Sequence, residues 1–270
     1  MSATSIGWRP APAINLSLLV HGAAAVAAIT QPTTLPWAMG AVGANHMLLT
    51  AAVLWPKGNL LGPNIVRLPP SAAQRGEISL TFDDGPDPDV TPKVLDLLDA
   101  YQAKASFFCI AEKAAALPDL VREIVRRGHS VENHTSRHPY AFAFYGWSRL
   151  GREVDSAQTT LAGITGRTPE FFRAPAGFRS PLLDPVLGKR GLRYVSWTRR
   201  ALDGTQGDPM RALQRLARGL NGGDVLLLHD GSRVRTKDGE PVVLAVLPAL
   251  LEEMSAIGLK SVSLPTAFHP

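Results

Sequence analysis

The run Glu77-Ile78-Ser79-Leu80-Thr81-Phe82-Asp83-Asp84-Gly85-Pro86-Asp87-Pro88 decides how this chain is read. An apolar strand over 78–82 ends in two adjacent carboxylates, and a Gly/Pro turn then forbids its continuation. Side chains at the C-terminal end of a parallel strand project into a mouth built from strand-to-helix loops. Neighbouring carboxylates there can hold different environments and different tasks, one binding a metal and the other taking a proton. Alone, the motif also fits a solvated Asp-Gly turn before a helix that starts near Thr91.

Three later segments carry complementary chemistry. Asn133-His134-Thr135-Ser136-Arg137-His138-Pro139 holds a His-x-x-x-His pair after a short strand-like run. Two imidazoles at that spacing read as ligands of one ion, and Asp84 can supply a third, leaving positions open for water and substrate. The single cysteine, Cys109, excludes a multi-thiolate zinc site. Phe171-Phe172-Arg173-Ala174-Pro175-Ala176-Gly177 sets an arginine at a strand end before another Pro/Gly turn, where its guanidinium can pair with Asp83 and orient it as a base. Asp224-Val225-Leu226-Leu227-Leu228-His229-Asp230-Gly231 is a buried-strand pattern ending in a histidine placed to act as a general acid.

Between these segments apolar strand-like runs alternate with helical patterns. Strands are expected at 77–82, 105–110, 129–133, 170–173, 192–197, 224–229 and 259–263. Helices are expected at 91–103, 111–127 with a break at Pro118, 148–164 and 242–257. This α/β alternation predicts a distorted, incomplete (β/α)7 barrel, preceded by an apolar helical hairpin.

In these motifs the chain resembles the polysaccharide deacetylases of the NodB-homology type, carbohydrate esterase family four, over about 77–264. The resemblance implies that Asp83 is the catalytic base and that Asp84, His134 and His138 bind one divalent metal ion, zinc first among zinc, iron, cobalt and nickel. It implies that Arg173 orients the base, with Asp203 placed to pair with Arg173, and that His229 protonates the leaving amine. Ala176 would donate a backbone N–H to the oxyanion, Leu227 would shape the acetyl pocket, and Trp197 opens the loosely matched fourth motif as a substrate-side residue. Two positions depart from the family pattern. Ala176 stands where an aromatic commonly precedes the glycine, and Gly204 where a tryptophan often follows the aspartate; both put the substrate in question rather than the chemistry. The implied activity is hydrolysis of N-acetyl, or other short acyl, groups from an amino-sugar glycan. A glycan-binding membrane protein without catalysis, and a hydrolase of a small non-sugar amide, are the alternatives.

Residues 1–76 differ from the rest and are expected to form a separate N-terminal unit, with the catalytic domain over 77–270. They contain no aspartate or glutamate, whereas Arg9, Lys57, Arg67 and Arg75 are basic. The remaining chain is nearly neutral, with 24 basic against 23 acidic residues, so a net charge of +5 argues for no nucleic-acid partner. Residues 14–30 and 35–55 are uncharged apolar stretches separated by Gln31-Pro32-Thr33-Thr34, read as a membrane hairpin. Helices packed on the barrel, or a cleaved signal sequence, are the other readings. His21 and His46 are expected at the helix-helix contact. Arg9, Lys57 and Arg67 place the hairpin's ends, and hence the barrel, on the cytoplasmic side, with a periplasmic or extracellular location as the alternative. Such an anchor favours a lipid-linked or envelope-associated glycan.

Overall fold

The computed structural model describes residues 10–270; Arg9 lies outside the described residues. The chain runs α1 (Pro12–Thr30), α2 (Leu35–Val53), α3 (Pro70–Gln74), β1 (Glu77–Asp83), α4 (Thr91–Ala100), β2 (Ala105–Cys109), α5 (Ala111–Ala116), α6 (Pro118–Arg126) and β3 (Ser130–Asn133). It continues through α7 (Trp147–Thr165), β4 (Phe171–Phe172), α8 (Leu183–Gly188), β5 (Arg193–Tyr194), β6 (Arg199–Arg200), α9 (Pro209–Ala217), β7 (Val225–His229), α10 (Val242–Ala256), β8 (Lys260–Ser261) and α11 (Leu264–Phe268).

The strands pair in the order β5-β4-β3-β2-β1-β7-β6, with β8 beside the start of β1, and all are parallel. This is the curled sheet of a distorted, incomplete (β/α)7 barrel. Strand alternation sorts β1 into two faces. Ile78, Leu80 and Phe82 join Val94 and Leu98 of α4 and Leu247 and Leu250 of α10 in the largest apolar core. Thr81 and Asp83 turn to the inner side, where the Thr81 hydroxyl and Asp83 carboxylate both receive the Arg173 guanidinium.

The strand expected at 192–197 is cut to 193–194, and a second short strand follows it at 199–200. Residues 193–194 pair with β4, whereas 199–200 pair with β7, so one short run reaches both edges of the sheet. Ile65 forms a bridge with Val195, and Arg67 with Asp224, which lays the linker before β1 against that same region. Pro118 begins α6 and separates it from α5, as its missing N–H dictates. Helices α8 and α9 were not among the expected elements; α9 carries its own signals, Asp208 capping Arg211 N–H and a proline in the first turn.

Helices α1 and α2 form an antiparallel pair joined by the turn at Pro32–Thr34. Asn45 is buried and donates to Ser17 Oγ at 3.0 Å, and the His21 and His46 rings meet edge to face at 5.3 Å. The polar groups of the hairpin therefore lie at the helix contact. Outward stand Leu19, Ile29, Trp37 and Met47, each more than two-thirds exposed. Of the two helices only α1 has the length and mean hydropathy, 1.7, of a membrane span; Asn45, His46 and the glycines keep α2 below it.

Candidate active site

Asp83 ends β1 and Asp84 follows it, where the chain turns so sharply that Asp84 adopts φ 70°. Thr135, His138, Ala176 and Leu202 also have left-handed φ, between 54° and 68°, and all lie in loops of the same mouth. Non-glycine residues in this region are costly and persist where surrounding contacts hold them. At Asp84 those contacts are visible. Lys113 Nζ donates to Asp84 O at 2.7 Å, and a side chain at Gly85 would overlap the Asp230 carboxylate. Asp230 is itself buried and accepts the Thr91 hydroxyl at 2.6 Å; burial pushes its carboxyl up to about 7 against that hydrogen bond. The sequence reading passed over Lys113 and Asp230, although Asp230 stands inside the quoted His229-Asp230-Gly231 motif.

The structure brings Asp84, His134 and His138 together, with one ligand atom of each within 4.8 Å of the others. Asp84 Oδ1 lies 3.4 Å from His134 Nε2 and 3.2 Å from His138 Nε2. The His134 Nδ1–H donates to Arg173 O at 2.9 Å, so Nε2 presents its lone pair to the carboxylate. Asp84 Oδ1 is buried and has no hydrogen-bond partner. Converging lone pairs around an unpartnered carboxylate oxygen are what a divalent cation resolves, so these residues fit a metal. The electrostatics agree. Burial alone would raise Asp84, yet the His134 ring directly against it and the other surrounding histidines hold it far below the usual carboxylate range. Burial would lower His134, but Asp83 and Asp84 outweigh it, so positive charge is favoured at this point.

Asp83 stands beside this cluster. Arg173, wholly buried, donates to Asp83 Oδ1 at 2.6 Å, to Thr81 Oγ1 at 2.9 Å and to Ser196 O at 2.9 Å, with its guanidinium over the Phe108 ring. One carboxylate oxygen is thereby clamped while Oδ2 stays 3.8 Å from His134 Nε2. Asp203 does not pair with Arg173. Its two oxygens accept the His229 backbone N–H and Nδ1–H, both at 2.8 Å, which corrects the expected partner. Burial works against a charged His229, but Asp203 outweighs it and lifts the ring to about 9. Asp83 and His229 are register partners across β1 and β7.

The remaining expected residues fall around this centre. Leu227 is buried and pairs with Thr81. Ala176 is exposed on the turn after Arg173. Trp197 is buried, its ring 6.0 Å from the Arg173 guanidinium and packed close under Gly177. Gly204 lies flat on the His229 ring, since a Cβ there would stand 3.3 Å from it.

A curled parallel sheet with an Asp/His/His ligand set, a clamped carboxylate and a carboxylate-held histidine defines a metal-dependent hydrolase. Comparison with known proteins names the kind. The polysaccharide deacetylase family model matches residues 71–195. A peptidoglycan-N-acetylglucosamine deacetylase of Bacillus cereus is 31% identical over 188 residues, 69% of this chain and 85% of the relative. A chitooligosaccharide deacetylase of Azorhizobium caulinodans is 34% identical over 202 residues, 71% of this chain and 94% of the relative. The solved Bc1960 peptidoglycan N-acetylglucosamine deacetylase superposes with TM-score 0.69 at 26% identity, over 76% of this chain and 92% of that one. The chain belongs to the polysaccharide deacetylase family and is a metal-dependent carbohydrate deacetylase, a hydrolase of C–N amide bonds.

Proposed function

We propose that residues 77–270 remove an N-acetyl, or another short acyl, group from an amino-sugar glycan held at a membrane to which the unit 1–76 anchors them. The observation that carries this reading is the direct pairing of Asp83 with His229 across β1 and β7, beside the ligand trio. Adjacent parallel strands lie about 4.8 Å apart, so a base and an acid flank one reacting carbon.

Asp84, His134 and His138 would hold one divalent ion, zinc by preference for a two-imidazole, one-carboxylate set. Such an ion supplies Lewis-acid polarisation of the amide carbonyl. Arg173 keeps Asp83 Oδ1 occupied, so Oδ2 takes the proton of the attacking water as its oxygen bonds to the carbonyl carbon. The Ala176 N–H supports the oxyanion, Leu227 packs the acyl methyl, and Trp197 supports the loop that carries Ala176. His229, charged at neutral pH, donates from Nε2 to the departing nitrogen while Asp203 steadies Nδ1; the C–N bond breaks to give a free amine and a carboxylate. The small Ala176 leaves this wall of the groove low. The hairpin's exposed apolar surface supports a membrane anchor, and Lys57 and Arg67 at its base support a cytoplasmic face, where a lipid-linked glycan is the substrate within reach.

Acetate release from N-acetylated glycans, with metal stripped and then restored, tests the reading. Metal-dependent release sustains it. Metal binding without release from any acetylated sugar, together with hydrolysis of simple amides, overturns the substrate class.

A further inference from the structure

We infer that Lys57 and Arg200 form an anion site at the edge of the active site, which takes a phosphate attached to the amino sugar beside its acylamino group. This rests on the deacetylase reading above and names what else its substrate carries.

The first observation is a pair of unneutralised cations. Arg200 is exposed and makes no ion pair among the described residues; its guanidinium lies 5.7 Å from the Trp197 ring, a contact that steadies it. Lys57 donates to Thr198 O at 2.6 Å and makes no ion pair either. Burial, then the charges of Arg200 and Arg199, hold its ammonium below the usual range, as expected for cations gathered closely. The acid acting on Lys57, Asp224, is already spent, one oxygen on Arg67 and the other on Arg199, each at 2.8 Å. A local positive surplus therefore remains for a ligand.

The second observation is where this surplus sits relative to the chemistry. Arg200 is the register partner of Leu227, and His229 follows Leu227 by two residues on the same strand. Register partners in a parallel sheet share a face, so Arg200 stands on the side of Leu227 and His229. Its Cα is roughly 8 Å from that of His229. An arginine side chain spans most of such a gap, and a guanidinium fork suits phosphate oxygens. On an N-acylated hexosamine the anomeric oxygen lies on the ring carbon next to the one bearing nitrogen. A phosphate there falls beside the reacting amide.

The third observation is depth. Helix α2 packs antiparallel on α1, the helix with the hydropathy of a span, and Trp37 and Trp55, both exposed, lie eighteen residues apart near its two ends. At helical rise that is about 27 Å, close to the roughly 30 Å of a bilayer's hydrocarbon core, and tryptophans mark its two interfaces. Lys57 follows Trp55 by two residues, which sets it at the level of headgroup phosphates. Pro56 between them packs on the loop beyond Arg173, with its Cβ 3.1 Å from where a Cβ on Gly177 would stand. The hairpin base and the catalytic mouth thus meet at the plane where a membrane-borne sugar phosphate presents itself.

The test uses full-length protein in phosphatidylcholine vesicles and compares kcat/KM for N-acetylglucosamine linked through diphosphate to a prenol, UDP-N-acetylglucosamine, and an uncharged chito-oligosaccharide. We expect the prenol-linked sugar to be preferred, and K57Q and R200Q each to reduce its preference over the neutral oligosaccharide tenfold or more, with R200K restoring part of it. Preference for the soluble nucleotide sugar, with the same response to R200Q, keeps the phosphate site and assigns a soluble source. An unchanged preference in both variants overturns the site. So does lowered retention on phosphatidylglycerol vesicles with unchanged preference, which gives the cations to lipid headgroups. Should no sugar be deacetylated, the deacetylase reading fails separately, and binding of inorganic pyrophosphate decides the anion site: binding lost in R200Q upholds it, and none in wild type removes it.

Discussion

At Asp83 the two carboxylate oxygens have unequal partners, Oδ1 held by Arg173 and Oδ2 left facing the ligand cluster. D83N keeps the shape but removes the proton acceptor. Acetate release should fall by about 10²–10⁴-fold, the usual worth of a positioned base, while metal content by elemental analysis stays near one per chain. Retained turnover would refute the assignment. His229 offers a pH signature. Asp203 raises it, and the acid role proposed for it needs the protonated ring, so wild-type kcat/KM should decline only as pH passes about 9. D203N removes the group that stabilises the charge, and the decline should begin at lower pH; a profile that does not move would exclude the pair from catalysis. Gly85 presents the simplest steric case. G85A drives a methyl into the Asp230 carboxylate below Asp84, and displaced ligand support of this kind typically costs 10–100-fold in metal affinity, measurable by chelator competition.

At the scale of elements, the junction of α6 with β3 carries a buried histidine the chemistry does not use. His129 Nδ1 accepts the Ala105 N–H at 3.2 Å, so the neutral ring is required there, and burial followed by the charge of Lys104 lowers it to about 4. Its folded value lies below its unfolded one, near 6.5. The unfolded chain then binds the extra proton first, and stability contributed by the neutral ring is present above about pH 6.5 and lost as pH falls toward 4. Urea melts at pH 7.5 and 5 should show a loss of up to about 2 kcal/mol that shrinks in H129F; equal pH dependence in that variant would contradict the account. Element type was legible in β1 and in α6 because apolar period and proline position are local signals. The shortening of 192–197 to β5 and the appearance of β6 after it were not, because only the neighbours β4 and β7 decide where that run pairs.

At the scale of the whole molecule, the segment between hairpin and β1 is packed rather than loose. Lys57 bonds to Thr198, Ile65 bridges Val195, and Arg67 pairs with the buried Asp224. A chain begun at Pro56 should leave the membrane fraction yet keep its melting midpoint. One begun at Pro70 should be less stable by at least about 1–2 kcal/mol, from the lost ion pair and uncovered β-edge. Equal melting of the two would show that the linker merely rests on the barrel. Intact protein should pellet with vesicles, and its tryptophan fluorescence should be quenched by brominated lipid.

Residue type and spacing alone determined the class of chemistry: two carboxylates at a strand end, a His-x-x-x-His pair and a strand-end histidine are local patterns, and the family resemblance assigned their roles. The resemblance, carried over motif by motif, paired Asp203 with Arg173, because both lie near the mouth and only the folded chain shows that Asp203 meets His229 instead. Tertiary structure alone decided the register that sets Asp83 beside His229, the Asp230 wedge under Gly85, and the meeting of Lys57 with the strand of Arg200. Those contacts join residues 141 or more positions apart, as Lys57 and Thr198 are, or Asp83 and His229. Hydrogen bonds between strands bring such residues together, and no local propensity encodes which strands will be neighbours.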